Sequence, residues 1–520
     1  MDDDFAPGPR LRTWWRFALA GALIVALCGA ATATFALHTA NHLAAEVFPK
    51  LNQIHTRKGL LTSIYNGGPK TFLVLGSDKR YGSKNAEERE AGAHSDTMLL
   101  VRFDPEQDQT SVLSIPRDLL VTIKTPEGQV YYPEKINAAY TIGSMLPGHD
   151  EGAALAAETV KTVLPGLRLN GIIDVTFTGF IRLVDKLGCV YVNVDHRYFN
   201  ENIGTPETDY SNINLQPGYQ KLCYENALAY VRYRHDDSDF VRVARQQDFL
   251  RDLREQVSPE LGQIDEIAKA VGHAISTNFP PSGSVLLELA KLIAFSQGKP
   301  LRQVPFQASN EDYMLGSGAS AGSYVTTTPE LAQATLHEFL YGDQKLKPVP
   351  TVAHPAANRG HRHHRSHHNS PAPSAASIGL YPTPSSDEEQ AIQASVKVPF
   401  PVLYPALQTG PATQETVRPY ALRDRQGGIH HAYVAVFQQS PIGGYYDVEG
   451  TGWLDPPIID HPDEIQHSGG RSYMIFANGS HIQMVAWRQG KALYWVVNTL
   501  LSELSNQQML GIAHSVRRLR

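Results

Sequence analysis

The stretch Tyr230–Gln247, YVRYRHDDSDFVRVARQQ, sets four arginines, three aspartates and a histidine side by side. Its first residues alternate as a strand does, which puts Arg232 and Arg234 on one face and Val231 and Tyr233 on the other. Its second half changes period: Arg242, Arg245 and Gln246 stand at i, i+3 and i+4, one face of a helix. The reading is two basic groups meeting where a strand hands over to a helix. Guanidinium forks bind phosphate oxygens in bidentate fashion, and open α/β sheets place ligands beyond their strand ends. A phosphate or pyrophosphate clamp is one reading of this stretch. The other is a surface helix whose arginines pair with Asp236, Asp237 and Asp239.

Upstream, the same grammar appears three times: a short apolar strand, a break, then charged side chains. TFLVLGSDKR carries a buried strand at Phe72–Leu75 and ends in Ser77, Asp78 and Arg80. AHSDTMLLVRF places Asp96 and Thr97 ahead of a second strand, and SVLSIPRDLLVTI places Arg117 and Asp118 after Pro116. Lys135 opens KINAAY. Further on, Gly152–Leu164 is an amphipathic helix, Ile172–Phe177 a strand, Phe180–Leu187 a helix closed by Gly188, and Val190–Val194 a strand. Gln246–Gln256, Ile264–Ile275 and Val285–Phe295 have helical periods. Strands alternating with helices specify an α/β fold, a sheet with helices on its faces.

The 520 residues leave room for several domains. With 46 basic and 52 acidic side chains the net charge is -6, so nothing marks the whole chain as a nucleic-acid binder. Three cysteines exclude a disulfide-dense scaffold. Phe17–Leu37 carries no charge and is long enough to cross a hydrocarbon core of roughly 30 Å as a helix. Arg10, Arg12 and Arg16 precede it, beside Trp14 and Trp15, so the expectation is a cytoplasmic N-terminus at 1–16, a transmembrane helix at 17–37 and an exported body in the cell membrane. A cleaved signal peptide is the competing reading. Residues 38–68 read as a helical stalk, 69–345 as the main domain, 346–393 as a disordered His/Pro/Ser-rich linker, and 394–520 as a small α+β domain whose terminal helix spans Leu500–Leu519. Six histidines lie between His354 and His368 in the linker, where no folded frame would hold a metal.

Together, LVLGSDKR, HSDTMLL, SIPRD, KINAAY, FTGFIRLVDKLGCV, LQPG and ALAYVRYRHDDSDFVRVARQQ resemble the LytR-CpsA-Psr family in order and spacing, over roughly Thr71–Gln256 with a looser tail to Tyr341. The resemblance implies a mixed central sheet flanked by helices, anchored by one membrane span. It also implies transfer of a glycopolymer from an undecaprenyl-pyrophosphate carrier to peptidoglycan. Carried onto this chain, it implies a pyrophosphate clamp of Arg117, Arg232, Arg234, Arg242 and Arg245, with Arg80, Lys135 and Gln246 as further donors. Asp78 and Asp96 would hold Mg²⁺, and Asp118 or Asp239 would take the acceptor's proton. Apolar side chains around Phe177–Leu187 would line a groove for the polyprenyl tail. Where the family commonly has paired glycines this chain has Gly188-Cys189, and Cys223 stands near the LQPG turn; in an exported domain this implies a Cys189–Cys223 disulfide. Val241 replaces a common glycine. The remaining readings are a polyprenyl-pyrophosphate hydrolase, a non-catalytic receptor for lipid pyrophosphates or wall fragments, and a regulator. For the last, neither a helix-turn-helix nor a basic patch is present.

Overall fold

The computed structural model describes residues 51–79, 93–146, 152–205, 211–233, 237–256, 275–296, 301–314, 320–342, 374–440 and 444–519, with residues 41, 42, 45 and 299. The expected membrane span, Arg80, Arg234, most of the helix expected at Ile264–Ile275 and the histidine cluster lie outside these residues. No helix among the described residues is long and apolar enough to cross a membrane.

The first domain is built on a seven-stranded mixed sheet. Its strands are β1 (Asn52–Gln53), β2 (Lys70–Ser77), β3 (Ser95–Asp104), β4 (Gln109–Ser114), β7 (Gly171–Thr176), β12 (Ile275–Thr277) and β13 (Leu301–Val304), in the order β1-β12-β7-β2-β3-β4-β13. β5 (Leu120–Lys124) and β6 (Val130–Lys135) form a hairpin beside it. β2 pairs parallel with β7 and antiparallel with β3, and β3 pairs antiparallel with β4. These directions bring the ends of β2, β4 and β7 and the start of β3 to one edge. All three charged strand exits of the sequence meet there.

Side-chain alternation explains why both sheet faces need helices. Leu73, Leu75, Met98, Leu100, Leu113 and Ile172 pack in the main core with helices α1 (Ala138–Met145), α2 (Gly152–Val163) and, further along the chain, the helix Pro329–Tyr341. Phe72, Val74, Leu99, Val101, Val112 and Ile173 leave the other face. There they meet α5 (Asp239–Gln256) through Leu250 and α6 (Gly283–Ser296) through Val285, Leu286 and Leu289. Val74, Val101 and Ile173 stay only half-buried.

Three local expectations are corrected. Tyr230–Arg232 is not a strand but the last turn of α4 (Tyr224–Arg232). A four-residue run fits both periods, and burial of Ala227, Ala229, Tyr230 and Val231 selects the helix. Residues 41, 42 and 45 of the stalk are helical, but from Leu51 on it is not: Asn52–Gln53 joins β12, and Thr62 donates its amide to Leu169 O at 2.8 Å. Ile54 and Leu60 pack into the main core beside the sheet, and Ile64 packs with Phe72. The described residues of the second domain include 374–393, ahead of the expected start at 394: a 3₁₀ turn at Ala375–Ile378 and a helix at Glu388–Ser395 belong to its core.

That second domain is an antiparallel seven-stranded sheet, ordered Thr413–Arg423, Ile429–Ser440, Gly444–Thr451, Ala492–Val497, His481–Gln489, Arg471–Asn478, Glu464–Ser468. Its last helix is Asn506–Ser515, shorter than expected. Ser505 and Gln508 form a capping box that fixes its start, and Val516–Arg518 turns into a strand paired with Leu403–Pro405.

The two domains meet on a stapled hairpin. β8 (Val190–Val194) pairs with β11 (Gly218–Leu222), and Cys189 is joined to Cys223 at its open end, with a Cα separation of 4.8 Å. Gly188 and Cys189 sit at φ 87° and 66°, the left-handed region that favours glycine, so the cysteine occupies a backbone that suits its neighbour better. Tyr191 and Tyr219 project from the hairpin into a cluster with Leu422, Met484, Leu493 and Trp495 of the second domain. Polar contacts flank them: Tyr191 OH donates to Arg423 O at 2.7 Å, and Asn193 Nδ2 to Asp447 Oδ2 at 3.0 Å.

Candidate functional site

At the shared sheet edge, Asp96 leaves β3 opposite the end of β2. Arg117 stands in the turn after Pro116, which Leu119 N closes by donating to Pro116 O at 3.1 Å. Its Nη1 donates to Asp96 Oδ1 at 2.6 Å. Arg232, the last residue of α4, brings Nη2 to 3.5 Å from Asp96 Oδ2. Two guanidinium groups from distant segments therefore share one carboxylate. Burial by itself would raise the Asp96 carboxyl, but Arg117, then Arg232 and Arg242, outweigh it and hold the group below the ordinary carboxylate range.

The rest of the constellation surrounds this triangle. Asp118 Oδ1 lies 2.9 Å from Lys135 Nζ, and Arg117 Nε lies 3.8 Å from Asp118 Oδ2. Arg242 and Asp239 form a buried ion pair in the first turn of α5. Gln246 Nε2 donates to Thr97 Oγ1 at 3.2 Å, tying α5 to the strand that carries Asp96. Asp78 stands just after β2, where Oδ1 accepts the His94 amide at 2.6 Å and two-fifths of the side chain stays exposed. Arg117 and Arg232 keep 24% and 33% of their side chains in solvent, which is what a ligand-binding cation needs.

Arg245 departs from the clamp expectation. Its side chain is wholly buried, ion-paired with Asp237 and donating to Tyr198 OH at 3.1 Å and Tyr233 O at 2.8 Å. A guanidinium with its donors committed inside the protein reaches no ligand. Contacts that the sequence did not assign also appear: the Phe177 ring, expected to line a groove, lies 4.1 Å from the Arg232 guanidinium, Ser211 Oγ accepts from Arg232 at 3.5 Å, and the Tyr324 ring lies 5.5 Å from Lys135 Nζ. Phe177 follows strand β7 and was legible as a strand exit. Tyr324 comes from a distant hairpin and had no local signal.

Asp78 and Asp96 offer hard oxygens of the kind Mg²⁺ takes alongside substrate phosphates, one ionised between arginines and the other partly solvated. Among the described residues, no three His, Cys, Asp or Glu side chains form a metal-holding group.

An α/β domain that gathers two partly open guanidinium groups around an ionised carboxylate at its strand ends has the chemistry to meet a multiply charged anion outside the sheet. The model of the LytR_cpsA_psr family matches residues 35–335, more than half of the chain, and the chain belongs to that family. It is 30% identical over 275 residues to "Biofilm regulatory protein A" of Streptococcus mutans, covering 51% of this chain and 62% of the relative. It is also 30% identical over 267 residues to the "Polyisoprenyl-teichoic acid--peptidoglycan teichoic acid transferase TagV" of Bacillus subtilis, covering 50% and 62%. The chain thus spans less than two thirds of either relative's length. The crystal structure of B. subtilis TagV is similar at 24% identity and a TM-score of 0.39, covering 53% of this chain and 98% of that one.

Proposed function

We propose that the chain is a membrane-anchored, extracytoplasmic phosphotransferase that moves a glycopolymer from an undecaprenyl-pyrophosphate carrier to peptidoglycan. The observation that carries this reading is the convergence of Arg117 and Arg232 on Asp96, with both guanidinium groups partly in solvent. Family membership and the transferase name of the Bacillus subtilis relative support it.

A pyrophosphate at this edge would meet Arg117 and Arg232 first, with Lys135 and Gln246 beside them and Arg242 contributing charge from behind. Arg80 and Arg234 are further donors on this reading. Phosphoryl transfer passes through a loose transition state, so positioning and charge stabilisation carry most of the catalysis. Asp118 and Asp239 are the two carboxylates within the site able to receive the acceptor hydroxyl's proton. Asp78 and Asp96 would hold Mg²⁺, which when bound neutralises charge on the phosphates. The half-buried face of Val74, Val101 and Ile173, with Leu250, would take the prenyl tail.

The test is transfer of a lipid-pyrophosphate-linked glycan to peptidoglycan strands by the purified chain, with Mg²⁺ or chelator and with or without acceptor. Arg117→Ala and Arg232→Ala should each lower transfer by about 10²–10³-fold, the range seen when one transition-state donor is removed. Release of lipid phosphate together with glycan phosphate, with no acceptor present, would instead identify a hydrolase. Lipid binding without any turnover would make the chain a receptor.

A further inference from the structure

Arg232 sits on the last turn of α4, where backbone carbonyls have no partner inside the helix. Side chains from α5 supply one. Arg245 Nη1 donates to Tyr233 O at 2.8 Å and to Tyr230 O at 3.4 Å, while Gln246 Nε2 donates to Val231 O at 3.0 Å. The buried Arg245 is thus a side-chain cap for the turn that presents Arg232.

Arg245 is in turn held by a buried chain of groups. Its Nε donates to Tyr198 OH at 3.1 Å, and Tyr198 OH donates to Asp195 Oδ1 at 2.5 Å. Asp195 Oδ2 lies 3.2 Å from His196 Nδ1. Burial disfavours charge on both members, yet each outweighs it for the other: His196 is raised and Asp195 lowered, an ion pair. Asp237 adds to the charge on His196 and Arg245 opposes it. The outer face of the His196 ring is covered from the second domain. Tyr445 stacks on it at 4.2 Å and 17°, and Gln438 Nε2 donates to Tyr445 OH at 3.1 Å. Tyr445 lies beyond the residues that match the family.

We infer that Tyr445 of the second domain is a positioning residue for Arg232, acting through His196, Asp195, Tyr198 and Arg245. The inference rests on the proposed function in taking Arg232 as a substrate-binding cation. A stacked ring at the end of this chain fixes the imidazole plane; the imidazole fixes Asp195; and Asp195 orients the hydroxyl that Arg245 needs in order to cap α4. The second domain thereby completes a site whose ligand-facing residues all lie in the first.

The full-length chain is tested as wild type, Tyr445→Ala, Tyr445→Phe and, as a control on the domain interface away from this chain of groups, Asn478→Ala, which removes an amide that accepts from Gln303 N at 2.8 Å and donates to Gln303 Oε1 at 3.1 Å. Tyr445→Ala should lower kcat/KM for transfer, and weaken binding of farnesyl pyrophosphate as a soluble probe, by about tenfold, within the range found for residues that act through others. Tyr445→Phe keeps the stack and should restore both within twofold, and Asn478→Ala should change neither. Amide exchange in peptides covering 227–233 should rise in Tyr445→Ala alone. Should Tyr445→Ala fail to fold, His196→Gln carries the same expectations from the other side of the stack. Wild-type activity and binding in Tyr445→Ala, or no rescue by phenylalanine, overturns the inference. If wild type itself neither binds the probe nor transfers, the proposed function fails, and the exchange measurement decides the positioning role: unchanged exchange at 227–233 rejects it.

Discussion

Arg232 and Arg245 come from one arginine-rich stretch, yet they have opposite fates. Arg232 ends a helix at the sheet edge, rests on the Phe177 ring and keeps a third of its side chain in solvent. Arg245 lies one helix later, has no exposure, and spends its donors on Asp237, Tyr198 and two carbonyls. The contrast teaches that a guanidinium fork matches a helix end as well as it matches a phosphate. An arginine motif therefore mixes ligand-binding groups with the groups that hold them.

Substitution should separate the two roles. Arg245→Ala leaves Asp237 without its buried partner and should destabilise the domain by about 3–5 kcal/mol, measured by denaturant unfolding. Arg232→Ala should change stability by less than ~1 kcal/mol, because its pairing with Asp96 is partly solvated. Its effect belongs to turnover. Equal stability losses for the two variants would erase the distinction drawn here.

The stapled hairpin sharpens the comparison from the other side of the molecule. The Cys189–Cys223 bridge closes a separation of 34 residues, and removing it by Cys189→Ser with Cys223→Ser should lower stability by about 2–4 kcal/mol. Because the hairpin carries Tyr191 and Tyr219, the loss should appear as weaker domain docking as well, read by proteolysis between the domains. A double variant as stable as wild type would mean that the tyrosine cluster alone holds the hairpin.

A smaller effect is expected from buried acids at the same interface. Glu449 is wholly buried and accepts from Tyr420 OH at 2.5 Å and from the Tyr219 amide at 3.2 Å. Burial pushes its carboxyl up to about 7, against the hydrogen bonds that favour the ion. A carboxyl raised on folding binds a proton that the unfolded chain has already lost. Its contribution is therefore fully present below the ordinary carboxylate range and fades as pH rises toward 7, by on the order of 1–3 kcal/mol. Melting midpoints should fall between pH 5 and pH 8, and Glu449→Gln should flatten part of that slope. Neighbouring Asp447, and Asp252 and Glu255 elsewhere, are also raised by burial and contribute to the remainder. An unchanged slope in Glu449→Gln would locate the pH dependence elsewhere.

Much of the fold was legible in the sequence because burial on both sheet faces writes near-continuous apolar runs, as in TFLVL and TMLLV, and because each run ends in a polar break. The same breaks named Asp78, Asp96, Arg117 and Asp118, since strand directions alone bring those exits to one edge. The error at Tyr230–Arg232 had a physical cause. Four residues are too few to separate a period of 2 from one of 3.6, and what favours the helix, burial of Ala227, Ala229, Tyr230 and Val231 with Arg245 and Gln246 capping the carbonyls, is made after the chain has turned back on itself.

By itself, then, the sequence determined the alternation of strands and helices, the charged strand exits and the membership of the family, all properties carried by local pattern and motif spacing. Only the tertiary structure decided which arginine faces solvent and which is sealed, that Tyr445 lies on His196, and that the stapled hairpin carries the second domain. Those outcomes depend on desolvation and on contacts between residues far apart in the chain, and a linear pattern of residue types does not record which donors a carbonyl or carboxylate has already taken.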